Sequence, residues 1–150
     1  MRAVAQRVSE AQIRVEGEGV GAMGAGLLAL VGVAVGDGEA DARELAAKLV
    51  NLRVFPDGEG RMNRSLLETG GALGVVSQFT LLADTRKGRR PSYVRAAAPE
   101  VAEPLIAALA EAARAAGVMV VTGRFGATMR VALVNEGPVT LLLDTRPPPG

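Results

Sequence analysis

A chain of 150 residues with a formal net charge of +1 and 49% hydrophobic residues is sized for one folded domain and is too apolar for a disordered polar segment. It holds neither cysteine nor histidine, which excludes disulfides, thiolate nucleophiles, sites built on cysteine or histidine metal ligands, and any catalytic triad that needs an imidazole. Glycine or charge interrupts the apolar runs every few residues, and the start turns polar too soon for a secretory leader, so a cytoplasmic protein without a membrane segment is expected.

In chain order, Arg2 to Val8 and Gln12 to Val15 read as a hairpin around Ser9-Glu10-Ala11, with Gln6 and Arg7 on opposite faces of its first strand. Gly17 to Gly26 is rich in glycine but lacks the lysine of a phosphate loop and the spacing of a dinucleotide fingerprint. It reads as tight turns leading into a strand over Leu27 to Val35. Asp37 and Asp41 offer caps for a helix whose Ala42, Leu45, Ala46 and Leu49 form one apolar stripe. Val54-Phe55 is a short strand, Pro56 to Gly60 a turn, and Met62 to Leu66 is expected to pair back.

Leu73 to Val76 has the length and β-branched content of a core strand, and it runs directly into Ser77, Gln78, Phe79 and Thr80. Polar side chains at the end of a buried strand need partners. Ser77 and Thr80 can find them in local backbone bonds that merely close the strand, or a ligand can supply them. Next comes a basic stretch in which Arg86, Lys87, Arg89, Arg90 and Arg95 fall within ten residues holding no acid. Phosphate attraction needs such a patch, although a solvated loop can look the same. Pro99 to Ala116 reads as a second helix with Leu105, Ile106, Leu109 and Ala113 facing inward and Gly117 ending it; Pro104 marks a first turn or a kink. Val118 to Thr122, Met129 to Val134 and Val139 to Leu143 are the remaining strands, with a turn at Gly123 to Gly126. Between the last two lies Asn135-Glu136-Gly137-Pro138, ordinarily a turn. Strands in three blocks separated by two helices give a mixed α/β fold. One domain is expected over residues 1–146, followed by a proline-rich tail at 147–150 that should fray.

Three stretches in this order, Ser77-Gln78-Phe79-Thr80, the basic run from Thr85 to Tyr93, and Asn135-Glu136-Gly137-Pro138-Val139-Thr140, resemble the D-aminoacyl-tRNA deacylase family, also called D-tyrosyl-tRNA deacylase. The resemblance extends from Met1-Arg2-Ala3-Val4 to Leu142-Leu143-Asp144. It implies a three-layer arrangement, with the helices on one side of a barrel-like pair of sheets. It also implies a homodimer acting on an aminoacyl-tRNA at the terminal adenosine that carries a D-amino acid or glycine.

The same resemblance implies that Gly137-Pro138, through a cis peptide, enters the partner subunit's site to hold the amino group and reject an L side chain. Arg7 is implied to brace that loop. Ala102, Phe125 and Met129 resemble the lining of an adenine pocket; ordinary core packing is the competing reading for Ala102 and Met129. No cofactor and no metal are expected.

Ester hydrolysis needs a nucleophile and donors for the oxyanion. Ser77 and Thr80 are the hydroxyls of the key stretch, but neither has a histidine or a nearby lysine to activate it. Water is therefore the expected nucleophile, with the backbone N–H groups of Phe79 and Thr80 as oxyanion donors. The resemblance adds a ribose hydroxyl of the tRNA to assist proton transfer. Thr80 as a covalent nucleophile is the alternative mechanism. An RNA-binding module without turnover and a small-ester hydrolase are the alternative functions.

Overall fold

The computed structural model describes residues 1–147, so the expected fraying of the tail lies, beyond Pro147, outside the described residues. Strand β1 (Arg2–Val15) runs unbroken for 14 residues, which corrects the expected hairpin at Ser9-Glu10-Ala11. That tripeptide has none of the residues a tight turn needs. It forms a bulge instead: facing β8 (Arg130–Asp144), Val8 pairs with Asn135 and Glu10 with Val134, leaving Ser9 unmatched. The true turn is Glu16-Gly17, both at positive φ (50° and 81°), which sets Val15 opposite Glu18 of β2 (Glu18–Met23). Two consecutive positive φ values give the turn that suits the twist of a two-residue hairpin.

Strand β3 (Gly26–Gly32) pairs antiparallel with the first half of β1, β2 with the second half, and β8 with nearly all of it. Helix α1 (Glu39–Asn51) follows, buried along Ala42, Leu45, Ala46 and Leu49 as the stripe predicts. Its N-cap is Gly38, whose N–H donates to the Asp41 carboxylate. Asp37 does not cap the helix; its carboxylate accepts from the Ala34 N–H and pairs with the Met1 ammonium at 2.8 Å.

The short hairpin β4 (Phe55–Pro56) and β5 (Met62–Arg64) stops before Leu66, because Ser65 begins a separate turn of helix, α2 (Leu66–Thr69). Ser65 and Glu68 cap it reciprocally, the Ser65 hydroxyl accepting from the Glu68 N–H and the Glu68 carboxylate from the Ser65 N–H.

Strand β6 (Ala72–Ser77) lies parallel to β3, and β7 (Val120–Thr122) parallel to β6. Helix α3 (Pro99–Ala115) connects β6 to β7; Leu105, Leu109 and Ala113 are buried, Ile106 is half-buried, and Pro104 is inside the helix. Crossovers of this kind force parallel pairing. Helices α1 and α3 pack together over one face of the sheet, with Leu27, Ala29, Leu73 and Val75 beneath them. The opposite face curls around a second core of Val8, Ile13, Leu28 and Val76. There β2 comes up against β7, so the sheet nearly closes on itself. Among the described residues no helix is long and apolar enough to cross a membrane.

The Gly-Pro stretch is not a turn between two strands. Both halves of β8 run along β1, and only Glu136 to Val139 bow away, since Gln6 pairs with Thr140 and Val8 with Asn135. Asn135 clamps the base of this excursion. Its side chain accepts from the Val139 N–H at 2.8 Å and donates to the Thr140 hydroxyl at 3.0 Å.

Candidate active site

Parallel strands place their carboxyl ends together, and the loops leaving those ends are where α/β folds build sites. Here the chain leaves β3 at Gly32 for Val33, β6 ends at Ser77, and β7 leads through Gly123 to Phe125. A cavity of about 670 Å³ opens at this point, lined by Ser77, Gln78, Phe79, Ala102, Phe125 and Met129 among others. Six of the ten residues named from sequence therefore meet in one place.

After Ser77 the chain is held by the Gln78 N–H donating to the Val31 carbonyl at 2.7 Å, then folds into a 3-10 turn over Phe79–Leu82. Gly32 makes room for that turn, because a Cβ there would collide with the Leu82 side chain and touch the Gln78 carbonyl. Being first in the turn, the Phe79 and Thr80 N–H groups have no partner within it. They find no other among the described residues. Thr80 does not line the cavity, and its hydroxyl accepts from the Gln78 amide, a donor that cannot serve as the base to activate it.

The cavity wall contains no aspartate, glutamate, lysine or arginine. Among the described residues no cluster of carboxylates has the arrangement to hold a metal ion. The one ordinarily titratable side chain in the lining is the Tyr93 phenol, so the cavity wall offers no carboxylate, imidazole or amine as a general base.

Arg7, Gly137 and Pro138 lie apart from the cavity of their own chain. The Arg7 guanidinium donates from Nε to the Glu136 carbonyl at 2.7 Å and from Nη1 to the Val54 carbonyl at 2.6 Å. The Gly137-Pro138 peptide is cis, Gly137 has φ of 153°, and all of Glu136, Gly137 and Pro138 are exposed. A Cβ on Gly137 would sit 2.7 Å from the Val139 nitrogen and 3.3 Å from Arg7 Nη2.

The basic stretch forms a loop whose base is closed by Asp84 and Ser92, each N–H donating to the other's carbonyl. Its free positive charge is smaller than the sequence shows. Arg86 folds back onto Asp84 with two side-chain hydrogen bonds of 2.8 and 3.0 Å, which hold the Asp84 carboxyl well below the usual range. Arg95 lies on the returning limb, half-buried and bonded through its carbonyl to the Val35 N–H. Lys87, Arg89 and Arg90 are left exposed. Sequence reasoning missed Tyr93 as part of the cavity; its signal was an aromatic residue beside a basic run.

The family profile described as D-Tyr-tRNA(Tyr) deacylase matches residues 4–144. The chain belongs to this family. The D-aminoacyl-tRNA deacylase of Roseiflexus sp. (strain RS-1) is 64% identical over 145 residues, covering 97% of this chain and 94% of the relative. That of Chloroflexus aurantiacus is 59% identical, covering 97% and 91%. Among solved structures, a c-Myc DNA unwinding element binding protein superposes with a TM-score of 0.92 at 35% identity, over 98% of this chain and all of that one. A probable eukaryotic D-amino acid tRNA deacylase shares the deacylase fold with a TM-score of 0.80 at 18% identity, over 95% and 97% of the chains.

Proposed function

We propose that this protein hydrolyses the ester of D-aminoacyl-tRNA, releasing the amino acid and the tRNA, and clears glycyl-tRNA by the same route. One observation carries the reading: two backbone N–H groups without partners, at Phe79, which lines the cavity, and at the adjoining Thr80, beside walls that offer no carboxylate or amine. In this reading the terminal adenosine occupies the cavity against Ala102, Phe125 and Met129, with Ser77 and Gln78 beside the reacting ester. Water attacks the ester carbonyl carbon. The developing oxyanion takes hydrogen bonds from Phe79 and Thr80, fixed donors that need no reorganisation. The neighbouring ribose hydroxyl relays the proton from water to the departing ribose oxygen, so that the ester C–O bond breaks and the amino acid and the tRNA hydroxyl are released.

Discrimination of handedness falls to Gly137-Pro138. A stereocentre exchanges only a hydrogen for a side chain, so the discriminating wall must be stiff, and the excursion is clamped by Asn135 and braced by Arg7. That the excursion is exposed and does not line the cavity of its own chain supports a homodimer in which each excursion enters the partner's cavity, its carbonyls receiving the substrate ammonium. Such a dimer has twofold symmetry and two equivalent sites. The protein works on charged tRNA in the cytoplasm.

The test is a set of deacylation assays on one tRNA charged with a D-amino acid, its L enantiomer or glycine. Rapid loss of the D and glycyl esters, with the L ester preserved, is the expected outcome. Tight tRNA binding without ester loss would make the protein a binding module. A trapped acyl group on Thr80 would replace water with a covalent nucleophile.

A further inference from the structure

The chain has three phenylalanines, one tyrosine and no tryptophan. Three of these four aromatic residues, Phe79, Tyr93 and Phe125, line the candidate cavity. Phe55 alone is in the core. Phe125 is half-buried, whereas Phe79 and Tyr93 are 56% and 38% exposed. Their rings meet edge to face, centroids 5.0 Å apart at 68°, so at least one ring has faces its partner does not cover. Exposing aromatic surface is unfavourable, and here it is concentrated at the mouth of one cavity.

The cavity shares Ser77, Ile106 and Phe125 with a groove of about 290 Å³ along α3, which carries Glu103, Glu111 and Arg114. Arg114 is already paired with Glu111 at 3.3 Å, so the groove is net acidic and repels phosphate. Phe79 and Tyr93 line the cavity but not that groove, and Tyr93 immediately follows Ser92, the residue that closes the basic loop bearing Lys87, Arg89 and Arg90. An exposed aromatic pair beside basic side chains is the arrangement that binds single-stranded nucleic acid, bases stacking on rings while cations follow the phosphates.

We propose that the Phe79–Tyr93 pair is a stacking seat for the base of the nucleotide that precedes the terminal adenosine, so that the single-stranded end leaves the cavity over Tyr93 toward the basic loop. This inference rests on the reading that the cavity holds that adenosine. It makes Tyr93 a binding residue for the second nucleotide, and because every base has a π face, the seat tolerates any base.

The experiment compares a D-aminoacyl ester of adenosine with the same ester of cytidylyl-adenosine, using wild type, Tyr93→Phe and Tyr93→Ala. Stacking of one base is worth about tenfold in affinity. The added cytidine should therefore lower KM about tenfold in wild type and in Tyr93→Phe, leave kcat unchanged, and have no effect in Tyr93→Ala. Uridine in place of cytidine should serve within about threefold. Because Tyr93 is the chain's one tyrosine and there is no tryptophan, its fluorescence reports the interaction without mutation. Unesterified cytidylyl-adenosine should quench it further than adenosine does. Turnover of the adenosine ester with no gain from cytidine, an equal gain in Tyr93→Ala, or no added quenching overturns the stacking seat while leaving the deacylase reading intact. Wild type that hydrolyses neither ester overturns both.

Discussion

The Arg7 Nε donates to the Glu136 carbonyl at 2.7 Å, and it does so where β8 bows away from β1. One guanidinium thus joins the excursion to the Val54 carbonyl as well. A lysine keeps the charge but cannot present donors to both carbonyls in a fixed fork. Arg7→Lys is expected to lower kcat/KM for a D-aminoacyl-tRNA at least tenfold and to reduce the D-over-L preference. Steady-state assays on the enantiomeric pair measure both, and an unchanged preference would remove Arg7 from positioning the excursion.

Gly137→Ala is expected to be more damaging than Thr80→Ala. A Cβ at Gly137 meets the Val139 nitrogen at 2.7 Å in a backbone conformation that L residues avoid. Truncating Thr80 leaves its N–H in place. Thr80→Ala should keep kcat within about fivefold of wild type, whereas Gly137→Ala should lose at least tenfold in kcat/KM with a folded circular dichroism spectrum. Loss of all activity in a folded Thr80→Ala protein would reinstate the hydroxyl as nucleophile.

The basic loop should contribute binding and not chemistry, since Lys87, Arg89 and Arg90 do not line the cavity. Neutralising Arg89 and Arg90 together should raise KM and flatten the slope of log affinity against log salt by roughly 0.7 for each phosphate that is no longer neutralised. Arg86→Ala should change the slope less, because Asp84 already holds that guanidinium. A salt series on each variant at saturating and limiting tRNA separates these outcomes.

In solution the protein should have twice the 15.4 kDa mass of one chain, and its specific activity should fall on dilution as the dimer dissociates. Light scattering alongside a dilution series of the assay checks this. A fully active monomer would show that the Gly137-Pro138 excursion serves its site in some other way.

Near the chain ends, Asp41 accepts from the Thr145 hydroxyl at 2.8 Å and from Arg146 Nη2 at 3.1 Å. The Arg146 guanidinium, opposed by partial burial, holds the Asp41 carboxyl well below the usual range. Its folded value is depressed, so its contribution is complete above the unfolded carboxylate value of about 4 and shrinks as pH falls below it. Asp41→Asn should lower Tm by roughly 5 °C at pH 7, and its gap from wild type should narrow in acid. Thermal melts from pH 7 down to pH 2.5 test the sign.

Helices α1 and α3 were legible because a stripe at helical spacing has few alternative meanings. The first turn was only half legible: glutamate at positive φ is uncommon, so Ser9-Glu10-Ala11, merely polar, drew the hairpin, and the glycine-rich stretch from Gly17 to Gly26, read as tight turns, hid strand β2. Ser65-Leu66-Leu67-Glu68 did carry the signature of a capped helix, and the strand expected through Leu66 overrode it. At the site, Ser77 to Thr80 announced itself by polarity at a strand end. Ala102 and Met129 look like core and Phe125 like part of a turn, so all three were reachable only through the family resemblance. The neutralisation of Arg86 was hidden because its partner, Asp84, lies just outside the basic run.

The pairing of β1 with β8 joins the first strand to the last. A ribosome delivers β1, β2 and β3 early, yet the partner for the other edge of β1 is unmade until β8 emerges. During that interval the nascent chain exposes an unpaired strand edge, the feature most apt to recruit other chains. A message truncated after β7 would yield a polypeptide that keeps β3, β6 and β7 but has no way to close that edge. Such a product should be cleared or aggregate rather than persist as a partial enzyme.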